Sequence, residues 1–224
     1  MTVHIITGTN TDVGKTIATA ALAVRLHTTG RAVTVVKPAQ TGEPEGQGDL
    51  TTVRRLVGET VTTVEFARYP EPLAPNLSAR RAGLGQLDLE ETSARVRDLD
   101  ARGRTVLVEG AGGLLVRIAD DWTIADLAAD LAAPVTVVTS LGLGSLNSAE
   151  LTVEAARRRG LGVIGLIGGC LPPNPDLATR LNLRELPEVT GVPLLGCIPQ
   201  GAGKLDPVKF ARATEHLDAE PFSR

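Results

Sequence analysis

Lys15 and Thr16 close the stretch GTNTDVGKT, residues 8–16, which follows the apolar run Val3–Thr7 and leads into the Ala-rich segment IATAALAVRL. Backbone N–H groups of a glycine-rich turn that opens a helix form an anion cradle. In such a cradle Lys15 reaches the outer phosphates of a nucleotide and the Thr16 hydroxyl faces magnesium. The plain alternative is a strand-to-helix turn with a surface lysine, and the buried strand before it and the helix after it argue against that. The loop is irregular. The usual pattern has four residues between its first glycine and Gly-Lys-Thr, whereas five separate Gly8 from Gly14, and one of them is the acid Asp12.

Three further side chains suit the same chemistry. Glu109 follows the apolar run Thr105–Val108, the position from which a carboxylate holds the metal in phosphate-loop enzymes. Asp49 follows a glycine-rich turn and opens a helix pattern, so it serves as helix N-cap, as metal carboxylate, or as both. Mg²⁺ needs few protein oxygens beside phosphates and water, and Thr16, Asp49 and Glu109 supply that set. Lys37, followed by Pro38, stands at the end of another apolar run. A second positive charge there stabilises a transferring phosphoryl group; the alternative is a lysine in solvent. Lys37→Gln is accordingly expected to fold normally and lose turnover.

The elements that must position these groups alternate at βαβ spacing. Strands are expected at Val3–Thr7, Ala32–Val36, Thr105–Val108, Val135–Thr139, Val163–Ile167 and Leu194–Ile198. They are continuously apolar, as parallel strands covered on both faces are. Helices are expected at Lys15–Thr28, Asp49–Val57, Leu87–Ala101, Thr123–Ala132, Asn147–Arg159 and Pro207–Leu217, most of them stopped by a glycine. The fold class is α/β, a doubly wound and mostly parallel sheet flanked by helices, with residues 1–224 as a single domain. Ligands bind such sheets beyond the carboxyl ends of the strands, and the loops that follow these strands are rich in glycine or reactive side chains.

Composition narrows the partners. With 23 basic and 26 acidic side chains the formal charge is −3, and no Lys/Arg block marks a nucleic-acid partner. Arg157–Arg159 sits at a helix end, where it complements the dipole. No apolar run is long enough for a membrane span, the chain begins at once with a strand pattern, and a cytoplasmic protein is expected. Cys170 and Cys197 lie far apart in apolar runs and are expected to be buried free thiols rather than a bridge.

The loop GTNTDVGKT resembles the extended phosphate loop of dethiobiotin synthetases, GTxTxVGKT. The resemblance continues through Lys37-Pro38 with Thr41, LAPNLSA at 73–79, VEGAGG at 108–113, LGSLNSA at 143–149 and PLLGCIP at 193–199, so it spans most of the chain in order. It implies an ATP-dependent ring closure. In it, 7,8-diaminononanoate and carbon dioxide form a carbamate, which takes the γ-phosphoryl group before the neighbouring amine closes the ring. By position it implies Lys15 and Lys37 at the transferring phosphoryl and carbamate oxygens, and Thr16, Asp49 and Glu109 on magnesium. Asp12, Val13, Gly14, Lys15, Thr16 and Ile17 would surround the nucleotide, with Glu109, Gly110, Ala111, Gly112, Gly169, Cys170, Pro199, Gln200 and Gly201. Thr11 and Thr41, with Asp12 and the Gly110–Gly113 backbone, would line the diamine and carbamate end, where Asp12 orients an amine. A homodimer with sites at the subunit interface is implied, the loop Gly144, Ser145, Leu146, Asn147 receiving the distal carboxylate of the partner's substrate; Asn147 could equally cap a helix. Gly169-Cys170 stands where relatives have Asn-Asp reading the adenine edge, which points to relaxed or shifted base selectivity, with the 199–201 loop supplying backbone contacts. Among rivals, a switch ATPase of the partitioning kind typically carries an extra lysine early in the loop, where this chain has Thr9 and Asn10. An amidating synthetase would need a further glutaminase domain, and a pure binding module leaves the lysines and carboxylates without a task.

Overall fold

The computed structural model describes residues 2–223. Seven strands, β1 (Val3–Gly8), β2 (Val33–Thr41), β3 (Thr62–Tyr69), β4 (Thr105–Gly113), β5 (Val135–Thr139), β6 (Val163–Leu171) and β7 (Leu194–Pro199), form one sheet in the order β3-β2-β4-β1-β5-β6-β7. Every ladder in it is parallel, so the expected "mostly parallel" sheet is wholly so. Eight α-helices accompany it among the described residues: α1 (Lys15–Thr28), α2 (Asp49–Val57), α3 (Pro75–Ala82), α4 (Leu89–Ala101), α5 (Ile124–Asp130), α6 (Ser145–Arg158), α7 (Leu177–Thr190) and α8 (Pro207–Ala213). Helices α1, α2 and α8 bury one apolar cluster, which includes Leu22, Leu56 and Phe210. Helices α3 to α7 bury the other, built around Trp122, Ile124, Val153 and Leu186. This is the doubly wound arrangement, with the strands covered on both faces.

Several expectations are corrected. β2 and β4 run on past their apolar cores, so Lys37 and Glu109 lie within strands rather than after them. The register explains their meeting: Val36 pairs with Val108, so the next residue on each strand, Lys37 and Glu109, stand side by side. The β2–β4 ladder ends at Val36 and Val108, which lets Pro38, with no N–H to donate, continue an inner strand. Asp88 and Thr123 cap α4 and α5 from outside, α8 stops at Ala213, and α6 begins at Ser145. β3, α3 and α7 are elements for which the sequence reading had no candidate.

α1 places the phosphate loop. Ala18, Ala20, Ala21 and Ala23 are all fully buried, and such small side chains let the helix lie close to the sheet. Its first turn is reached through Gly14 at φ 97°, a left-handed conformation that glycine takes without strain.

Candidate active site

The phosphate loop is held by β6 as well as by α1. A Cβ at Gly14 would lie 2.5 Å from the Gly169 carbonyl oxygen, and one at Gly169 would lie 1.6 Å from the Val13 carbonyl oxygen. The loop therefore rests directly on the end of β6, and neither position admits a side chain. Asp12 is exposed and carries φ 57°, a left-handed conformation that costs a non-glycine residue on the order of 1 kcal/mol or more and persists where its surroundings enforce it. Lys15 folds across the loop, its Nζ donating to the Asn10 carbonyl at 3.0 Å. Burial lowers the Lys15 pKa and the Lys37 charge lowers it further, with Glu109, Asp49 and Asp12 working against them.

Below the loop lies a compact ionic cluster. Lys37 Nζ is 2.5 Å from Asp49 Oδ2 and 3.1 Å from Glu109 Oε1, and it donates to the Gly110 carbonyl at 3.0 Å. Thr16 Oγ1 donates to the same Glu109 Oε1 at 2.8 Å. The Lys37 and Glu109 side chains are 4% and 0% exposed, while Asp49 keeps 31%. Burial alone would lower the Lys37 pKa, but the charges of Glu109 and Asp49 outweigh it and hold the ammonium above its ordinary value. Burial also works upward on Asp49, where Lys37 prevails and holds the carboxyl below its usual range. Glu109 is pushed up, by burial first, with Lys37 opposing and the Asp49 charge adding.

The cluster fits a hard divalent cation. Thr16, Asp49 and Glu109 offer only oxygen donors, the preference of Mg²⁺. Glu109 Oε2 is buried and has no hydrogen-bond partner among the described residues, so a strong acceptor is left over where a cation would use it.

A cavity of about 730 Å³ opens above this cluster. It brings together Thr11, Asp12, Gly14, Lys15, Thr16, Ile17, Lys37, Thr41, Asp49, Glu109, Ala111 and Gly112. Its walls include residues that sequence reasoning left without a role: Ala39, Gln40 and Glu43 from β2 and its loop, Pro72 to Pro75 leading into α3, and Val116. The LAPNLSA stretch was the only signal for the α3 wall. Val13 lies buried behind the loop, and Gly110 takes part through its carbonyl.

Other expected site residues lie outside the cavity. Gly169 supports the phosphate loop, and Cys170 beside it is exposed rather than buried, because the buried run of β6 ends at Gly169; Cys197 is buried as expected. Gln200 N–H donates to the Leu171 carbonyl at 2.8 Å, and the turn after Pro199 and Gly201 reaches Ile17 through Gly203. Gly144, Ser145, Leu146 and Asn147 form the start of α6, away from this cavity. There Gly144 is the cap, and the exposed Asn147 is the third helical residue, not the N-cap. Likewise Gly48 caps α2, and Asp49 is its first residue, free to turn its carboxylate to Lys37.

Fold and site together define a P-loop NTPase. A family model described as an AAA domain matches residues 3–206. In fold, the chain is similar to the Pyrococcus furiosus cell division ATPase MinD, with a TM-score of 0.59 at 18% identity over 100% of this chain and 99% of that one. It is likewise similar to the MinC:MinD cell division complex of Aquifex aeolicus, with a TM-score of 0.60 at 15% identity over 96% and 93%.

Sequence relatives narrow the class. The chain is 58% identical to the ATP-dependent dethiobiotin synthetase BioD of Corynebacterium diphtheriae over 97% of both chains. It is 60% identical to that of Corynebacterium efficiens over 94% of both, and 52% to that of Streptomyces coelicolor over 99% of this chain and 94% of the other. The chain belongs to the ATP-dependent dethiobiotin synthetase family.

Proposed function

We propose that this protein forms dethiobiotin from 7,8-diaminononanoate, carbon dioxide and ATP or another nucleoside triphosphate. The observation that carries the reading is the joining of the phosphate loop to the Lys37–Asp49–Glu109 cluster at the floor of one cavity. One amine of the substrate adds to carbon dioxide and loses a proton, giving a carbamate. A carbamate oxygen then attacks the γ-phosphorus, the bond to the β-phosphate oxygen breaks, and ADP leaves. The neighbouring amine attacks the carbonyl carbon of the mixed anhydride; phosphate departs, a proton is lost and the ring closes.

The chain's own groups serve these steps by position and charge. The loop N–H groups and Lys15 hold the phosphates. Lys37, once turned from Asp49 and Glu109 toward the cavity, stabilises charge on the transferring phosphoryl and carbamate oxygens. Asp12, at the cavity mouth, attracts and orients the cationic diamine. Thr16, Asp49 and Glu109 would hold Mg²⁺, which neutralises phosphate charge when bound. Holding both amines and the carbamate in one cavity makes the last attack intramolecular.

The dimer belongs to the same reading. Leu143, Leu151, Leu177 and Leu181 are 95%, 58%, 64% and 50% exposed on α6, α7 and the loop before α6. Apolar surface of this kind suits burial against a second copy, which would bring the Gly144–Asn147 loop to the partner's cavity. A cytoplasmic location suits small soluble substrates, and among the described residues no helix is long and apolar enough to cross a membrane. The test is phosphate release assayed with and without diamine and bicarbonate. Release that requires both supports the reading. Release that is indifferent to both returns the chain to the switch ATPases whose fold it shares.

A further inference from the structure

Residues 41–48 leave β2 and return to open α2, and one side chain closes the neck of that loop. Gln40 is 4% exposed; its Oε1 accepts the Asp49 backbone N–H at 2.9 Å, and its Nε2 donates to the Thr41 carbonyl at 3.2 Å. The first N–H groups of a helix have no partner within it, and the cap residue Gly48 has no side chain to serve them. Gln40 supplies that acceptor from the neighbouring strand. The fit is close: Gly48 has φ 109°, and a Cβ there would come within 2.6 Å of Gln40 Oε1. Farther out, Arg68 donates to the carbonyls of Glu43 and Pro44 at 2.9 and 2.8 Å while paired with Glu65. Strand β2 thus holds Asp49 at two points, its backbone through Gln40 and its carboxylate through Lys37.

We propose that Gln40 is a positioning residue for phosphoryl transfer: by fixing the start of α2 it sets the Asp49 carboxylate against Lys37 and Glu109. The inference rests on the reading of Asp49 as a metal carboxylate given above. Gln40 touches neither the phosphates nor the metal in this role; it acts through Asp49.

A double-mutant cycle with Gln40→Met, Asp49→Asn and both together tests it. Binding of Mn²⁺ with a nonhydrolysable ATP analogue is measured by calorimetry, and amide exchange at Asp49 by NMR of the free protein. Losing the buried acceptor is expected to speed Asp49 exchange about tenfold and to weaken metal–nucleotide binding about tenfold. In the Asp49→Asn background, Gln40→Met should weaken binding by less than about twofold, because the two residues act as one unit. Gln40→Leu, of similar volume, serves as the second variant and should give the same order. An equal loss in both backgrounds, or unchanged exchange at Asp49, overturns the proposal. Asp49→Asn with undiminished metal–nucleotide binding overturns the metal reading of Asp49 instead, and the role of Gln40 in the reaction falls with it.

Discussion

Lys37→Gln tests how the ionic cluster is built. The sequence alone leads to the expectation that this variant folds normally, as it would if a lysine in solvent were replaced. Lys37 is instead 4% exposed between Asp49 and a Glu109 that is fully buried, and a loss of stability replaces that expectation. Removing one partner of a buried ion pair costs about 3–5 kcal/mol, because the other charge is left uncompensated. Two features reduce that figure here. Asp49 is 31% exposed and partly screened, and a glutamine amide can still donate to Glu109 or to the Gly110 carbonyl. A loss of about 2–3 kcal/mol at neutral pH is the expectation, and with about 2–4 °C per kcal/mol for a chain of this size the melting temperature falls about 5–10 °C.

The sign of its pH dependence follows from the carboxylates. In the wild type Lys37 opposes the burial that pushes Glu109 upward and holds Asp49 down. Without it both folded-state pKa values rise, so the folded variant takes up protons more readily, and stability is regained as pH falls through the raised values. Urea midpoints of both proteins at about pH 8 and pH 5 measure this, with the gap shrinking at the acid end. Lys37→Gln as stable as wild type at both values, or a gap that does not change with pH, would refute the buried-pair reasoning.

Three other perturbations bear on the same account. Gly169→Asn, which copies the residue expected to read adenine, should weaken nucleotide binding at least about tenfold, because its Cβ would sit 1.6 Å from the Val13 carbonyl and displace the phosphate loop; calorimetry showing unchanged or tighter ATP binding would contradict the contact. Asp12→Asn should raise the KM for diamine about tenfold with little change in the KM for ATP, the worth of one charge-assisted contact; steady-state kinetics decide, and equal KM values for diamine reject the role of Asp12. His4 is buried against Phe222, ring centroids 4.9 Å apart, and burial, with Arg31, lowers its pKa to about 4. A depressed folded pKa means that its stability is present above the unfolded value near 6.5 and lost as pH falls toward about 4. His4→Leu should therefore flatten the acid side of the stability profile, and a profile parallel to wild type is the contrary result.

How far the sequence reaches differs from element to element. α1 and α2 occupy the expected residues because glycine stops and apolar periodicity are local signals. Lys15, Thr16, Lys37, Asp49 and Glu109 were legible as a set because Lys37 and Glu109 close apolar runs while Lys15, Thr16 and Asp49 open helices after glycine-rich turns. What was not legible depends on partners distant in sequence. β3 is only half-buried at the sheet edge, and Glu65 and Arg68 interrupt its apolar run. Prolines hid two helices: Pro75 stands in the first turn of α3, where no N–H is needed, and Pro187 lies within α7, whose Asp176 cap was the better signal. The strand position of Lys37 and Glu109 follows from the β2–β4 register. The acceptor role of Gln40 is fixed only when α2 starts beside it.

In the proposed reaction a carbamate oxygen attacks the γ-phosphorus and leaves in the released phosphate. Single-turnover reaction with diamine, ATP and ¹⁸O-labelled carbon dioxide, followed by mass analysis of the inorganic phosphate, measures it directly. One labelled oxygen per phosphate is the predicted result. Phosphate free of label, with dethiobiotin formed, would contradict the account.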